Sequence, residues 1–222
     1  MRMVKKQGGF TLVEIAIVLV IVGLLLAGVL KGQEMIENGR VKSGVSDLNG
    51  VAAAYNSYLD RYKTLPGDDG PTAAINARGG NFVAPMVGNA APNGVILAAA
   101  ATTFAPAAGA ENELFFRHLR AAGYLSGDAN AALINALPLN AWGGRTGVVN
   151  VVTQGRPAAR LQVCMGNVPG KAAAAMDVQL DDGIIGTGDV RSTVGPNNIA
   201  PAAAATPAAY NEGLFYTVCR NI

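Results

Sequence analysis

The stretch Lys5-Lys6-Gln7-Gly8-Gly9-Phe10-Thr11-Leu12-Val13-Glu14-Ile15 opens a run of 21 residues, 10–30, whose only charged side chain is Glu14. At about 1.5 Å of rise per residue, a helix over that run is about 30 Å long, one bilayer core. Arg2, Lys5 and Lys6 precede it without an acidic residue, and Lys31 follows it. Basic residues on the leading side favour keeping that end in the cytoplasm, so the rest of the chain is expected on the far side. The run is longer than the apolar core of a secretory signal peptide, about 7–15 residues, and no clear small-residue cleavage site ends it. An ordinary signal anchor would leave Glu14 unexplained, because a carboxylate in hydrocarbon is costly and by default functional.

Around that run the chain is 222 residues long, which suits one domain plus an appendage. Half of it is apolar and only 14% is charged, with a mean hydropathy of +0.28. Its 28 Gly and 11 Pro are too few for collagen or general disorder. A formal charge of +2 excludes a strongly basic nucleic-acid binder as the default. Residues 1–9 carry three of the 17 basic side chains, so a chain without them has 14 against 15 acidic. That balance gives no support to a DNA-binding surface.

The basic leader, the Gly before Phe10, the Glu five residues into the cut chain and the span-length helix together resemble the type III signal of the type IV pilin superfamily. That superfamily includes type IV pilins, minor pilins and type II secretion pseudopilins, and the resemblance covers about the first 55 residues. It implies that residues 1–9 are a leader, cut after Gly9 by a prepilin peptidase, which then N-methylates Phe10. It implies that Glu14 faces the N-terminal ammonium of a neighbouring subunit, since a buried carboxylate needs a cation. The implied partners are the peptidase, other pilin or pseudopilin subunits in a helical filament, and the bacterial inner membrane. The precursor would be single-pass, N-terminus cytoplasmic and head periplasmic, before joining a cell-surface or periplasmic filament. No Pro occurs in residues 1–65, where many major pilins have one, which favours a minor pilin or pseudopilin.

Beyond Lys31 an apolar stripe recurs at Val41, Val45, Leu48, Val51, Tyr55, Leu59 and Tyr62, the period of one helix face. The helix is expected to fill residues 10–65, with 10–30 transmembrane, and to end where Pro66-Gly67-Asp68-Asp69-Gly70-Pro71 supplies turn chemistry. Residues 66–222 would form a single α+β head with a small antiparallel sheet on the long helix, a pilin-like fold. Within it, residues 71–109 read as a long loop with a short strand or helix at 95–103. Residues 111–122 and 172–180 read as helices, and 148–153, 160–164 and 214–219 as strands. Residues 201–209 read as an Ala/Pro-rich loop. Cys164 and Cys219 are the only cysteines and fall in strands of a region placed outside the cytoplasm, where disulfides persist. Pilin heads often carry a C-terminal disulfide, so the resemblance also implies this pair.

A catalytic site is hard to assemble, and neither an enzyme nor a cofactor is expected. His118 is the sole histidine and reads as a surface or satisfied side chain, with no nucleophile motif to serve. No His/Cys cluster offers zinc ligands. Asp68-Asp69 and Asp181-Asp182 lack EF-hand spacing and read as turn or capping residues, with calcium the lesser alternative. Trp142 reads as a core or sheet-edge aromatic. The functional expectation is a structural subunit of a type IV pilus or type II secretion pseudopilus. The alternative is a signal-anchored or filament-tip adhesin.

Overall fold

The computed structural model describes residues 9, 11–83, 86–204 and 209–222. Phe10, the basic leader residues Arg2, Lys5 and Lys6, and residues 205–208 of the Ala/Pro-rich loop lie outside the described residues. Two compact units are present, Met1–Gly39 and Arg40–Ile222.

In the first unit, α1 (Leu12–Tyr62, continuing into the second) presents Leu12, Val13, Ile17, Leu19, Leu24 and Leu25 exposed. Among the described residues, α1 alone is long and apolar enough to cross a membrane; its most apolar window has a mean hydropathy of 2.9. Aqueous solvent opposes such exposure, so this segment needs lipid or partner helices.

In the second unit, α1 buries Val41, Gly44, Leu48, Val51, Ala54 and Tyr58. The spacing is helical, but the buried line differs from the stripe expected after Tyr55. Tyr58 lies inside and Leu59 is exposed, because the Tyr58 hydroxyl finds a buried acceptor in Asp69. The helix stops at Tyr62, a few residues before the expected end, and Lys63 takes a positive φ of 57°.

Four antiparallel strands follow: β1 (Thr146–Val149), β2 (Gln162–Pro169), β3 (Val190–Val194) and β4 (Phe215–Asn221). Their order is β1-β2-β4-β3. β3 was not among the expected strands; its core Arg-Ser-Thr is polar, yet Ser192 and Thr193 are buried. Helices α2 (Thr72–Asn76), α3 (Glu111–Ala121) and α4 (Gly170–Leu180) complete the unit. The strand or helix expected at residues 95–103 is reduced to a 3₁₀ turn, Ala100–Thr102.

Strand alternation sorts the sheet into two faces. Val148, Val163, Met165 and Val218 join the main core with α1, α3 and α4. Val149, Cys164 and Cys219 turn the other way and meet Phe104. Cys164 and Cys219 sit opposite each other on β2 and β4 and are joined by a disulfide, with a Cα–Cα distance of 4.0 Å. The bridge therefore clamps the last strand from the face that α1 does not cover.

Candidate functional site

Thr11 stands one residue before α1, and Glu14 is its third residue. The Thr11 backbone N–H and hydroxyl both donate to Glu14 Oε2 at 2.8 Å, and Glu14 N–H donates to Thr11 Oγ1 at 3.3 Å. This is a capping box, which satisfies donors that a helix start leaves open. The sequence reading assigned Glu14 only an intermolecular role; the Thr-x-x-Glu spacing was the missed signal for a local one. Gly9 is exposed ahead of the helix, and a Cβ there would meet nothing within 4 Å. The described fold therefore sets no steric demand for glycine at that position.

A polar hub lies where α1 ends. Asp69 is buried, accepts 2.6 and 3.0 Å bonds from Arg78 and receives the Tyr58 hydroxyl at 2.5 Å. Burial alone would raise the Asp69 carboxyl, but the Arg78 and Tyr58 hydrogen bonds outweigh it and hold it below the usual carboxylate range. Burial, and then Asp69, push the Tyr58 phenol up. Asp68 gathers the N–H groups of Asn93 and Gly94 and the Asn89 amide. Gly67 adopts a φ of 94°, and an added Cβ would strike the Glu111 carbonyl, so the turn presses against the start of α3.

His118 is fully buried against this hub. Gly67 N–H donates to its Nδ1 at 3.1 Å, which leaves Nε2 to donate to the Val87 carbonyl at 2.9 Å. Burial pushes its pKa down. It is a satisfied core histidine, and no nucleophile is hydrogen-bonded to it among the described residues. Asp68 and Asp69, read as turn or capping residues, tie Arg78, Asn89, Asn93 and Gly94 of the following loop to the end of α1. Tyr58 and Arg78 were not singled out from sequence, because their shared partner Asp69 lies 11 and 9 residues away. Glu113 is buried and accepts N–H bonds from Gly109 and Leu133.

Asp181 and Asp182 meet Asp177 with carboxylate oxygens within 4.8 Å of one another. Each carboxylate already shapes its loop. Asp181 accepts from Val190 N–H, Asp182 from Ile184 N–H and the Thr187 hydroxyl, and Asp177 from the Tyr210 hydroxyl. Burial pushes the Asp177 carboxyl up, and the charges of Asp182 and Asp181 add to that. Trp142 is half-buried and packs at the sheet edge over Gly44 of α1, where a Cβ would come within 3.0 Å of the indole. The absence of a side chain at residue 44 is what admits the ring.

A long apolar N-terminal helix followed by a small four-stranded antiparallel sheet is a pilin-like α+β architecture. Residues 4–30 match the family model of the prokaryotic N-terminal methylation motif, the signature of type IV pilins and pseudopilins. The matched span takes in Gly9, Phe10 and Glu14 and most of the exposed apolar half of α1. No curated protein matches this chain. The motif points to a structural protein and fits a membrane-anchored precursor.

Proposed function

We propose that the chain is a structural subunit of a type IV pilus or type II secretion pseudopilus. A prepilin peptidase cuts between Gly9 and Phe10 and methylates the new N-terminus. Glu14 then pairs with the ammonium of an adjacent subunit, and the apolar half of α1 exchanges lipid for neighbouring helices. Before assembly the precursor is a single-pass inner-membrane protein with a periplasmic head. The lack of Pro in residues 1–65 favours a minor pilin or a pseudopilin within this class.

One observation carries this reading. The methylation motif at residues 4–30 runs directly into a 51-residue helix whose first half exposes aliphatic side chains. A buried ion pair between subunits fits that setting, because an unpaired carboxylate there would be strongly unfavourable. Glycine at residue 9 is also consistent with processing, since the described fold does not itself require it. The deciding experiment is mass spectrometry of the mature N-terminus from a native host. A chain beginning at methylated Phe10 is the expected result. An uncut Met1, or a cut beyond residue 30, overturns the assignment.

A further inference from the structure

Arg156, Arg160 and Arg191 frame a cavity of about 200 Å³ at one end of the sheet, closed by Pro157, Asp189 and Asn221. Arg156 is only 5% exposed, and its guanidinium is fixed by oxygens that carry no full charge. It donates to Gln162 Oε1 at 2.9 Å, to the Asp189 and Cys219 carbonyls at 3.0 Å and to the Gly188 carbonyl at 3.3 Å. Arg191 likewise donates to the Gly188 and Gln154 carbonyls, both at 3.3 Å. Arg160 is exposed; its carbonyl accepts from Gln162 Nε2 at 3.2 Å, and its guanidinium makes no hydrogen bond or ion pair among the described residues. The one carboxylate at the cavity, Asp189, accepts from Asn221 Nδ2 at 2.8 Å.

Three guanidiniums stand against two carboxylates, Asp189 at the cavity and Asp181 packed behind Gly188, which leaves one positive charge in excess. Burial, and then the nearby Arg191 charge, depress Arg156 to a pKa of about 10, while Asp189 and Asp181 act in the opposite sense. Crowded like charges are unfavourable, and a bound anion would offset the excess. Guanidinium forks match the paired oxygens of a tetrahedral oxyanion, and the free N–H groups of Arg160 and Arg191 supply such forks at the rim. The anchoring of Arg156 through backbone carbonyls of β4 and of the turn before β3 makes the floor of the site rigid.

We infer that the cavity framed by Arg156, Arg160 and Arg191 binds a phosphate group, either free or as a monoester. Arg156 sets the charge at the base, and Arg160 and Arg191 close on the oxygens. Such a site would let the head sense or hold a phosphorylated small molecule independently of assembly through α1.

The test is calorimetric titration of inorganic phosphate, and separately of glycerol phosphate, into the detergent-solubilised full chain at constant ionic strength. Arg160→Gln and Arg191→Gln are the informative variants, since neither residue is fully buried; near-ultraviolet circular dichroism checks that they remain folded. Heats are preferable to melting shifts, because phosphate and sulfate stabilise folded proteins non-specifically. Saturable one-to-one binding of either probe, weakened about tenfold in each variant, is expected. Saturation by glycerol phosphate assigns an esterified ligand; saturation by inorganic phosphate alone assigns a free ion. No saturable heat from either probe, or equal affinity in wild type and both variants, overturns the proposal.

Discussion

At the residue scale, Thr11 separates two roles for Glu14. The carboxylate caps the helix start within one chain, and the proposed filament contact uses its charge between chains. Glu14→Gln keeps an acceptor for the Thr11 N–H but removes the charge. If capping were the whole role, Gln would assemble normally and only Glu14→Ala would fail. We expect both variants to reach the membrane and both to be absent from sheared filament or pseudopilus fractions, as read by immunoblot. His118 gives a second prediction. Its folded pKa lies below its ordinary value of 6.5, so the folded state favours the neutral ring. The stability it contributes is complete above pH 6.5 and is lost as the pH falls toward the folded value, because protonated Nδ1 can no longer accept from Gly67. Asp69 carries a charge that favours protonation of the ring, while Arg78 and Arg117 oppose it. The loss is up to about 1.4 kcal/mol per pH unit in that window. Burial raises Glu111 and Asp177, which work in the opposite sense near their own range. Urea unfolding at pH 7 and pH 5 should therefore show a larger drop for wild type than for His118→Gln.

At the scale of elements, β4 decides how the head closes. It is the inner partner of both β2 and β3, and it is also the last strand of the chain. Until it docks, β3 has no neighbour in the sheet. The disulfide spans a sequence separation of 55 and ties β4 to β2 on the face away from α1. In the chain-entropy account, a loop of that length is worth about 4 kcal/mol. Replacing both cysteines with Ala should lower the unfolding free energy by about 2–4 kcal/mol and raise protease sensitivity near residues 214–222. Unchanged stability would mean that the register of β2 and β4 is set by packing alone. The turn of residues 66–70 works at the same scale. Its Gly, Pro and Asp content reads as an exposed stop signal, yet Pro66, Gly67, Asp68 and Asp69 are buried. The stretch that follows is poor in regular structure; Ile75, Phe82, Met86 and Ile96 enter the main core, and Asp68 and Glu111 fix Asn89, Gly94 and Leu97 by hydrogen bonds.

At the scale of the whole molecule, the two compact units answer to different solvents. Met1–Gly39 exposes its aliphatic side chains, whereas Arg40–Ile222 encloses a core built from α1, α3, α4 and the sheet. A chain beginning at Arg40 should partition into the aqueous phase of a detergent extraction and still unfold cooperatively, while the full chain partitions into the detergent phase. Aggregation or non-cooperative melting of the shortened chain would show that the apolar half is needed for the head to fold. The low overall charge of 14% thus averages an apolar helix segment with a mild, Ala-rich head. The apolar run, the methylation motif, α3 and the central strands were legible because each is a local pattern of period, charge or length. β3 was not, because Arg-Ser-Thr has no apolar alternation; it is a strand because β4 offers it a ladder. Tyr58 displaced Leu59 from the core because hydropathy ignores the buried carboxylate that receives its hydroxyl. Arg156 gave no local signal at all, since its partners come from Gln162, Gly188, Asp189 and Cys219. By itself the sequence determined the membrane-length helix, the methylation motif and the α+β class, because these rest on contiguous chemistry. Only the tertiary structure decided which carboxylates are buried anchors, which face of the sheet holds the disulfide and where Arg156, Arg160 and Arg191 converge. Those outcomes depend on groups that are far apart along the chain and meet only when the core excludes water.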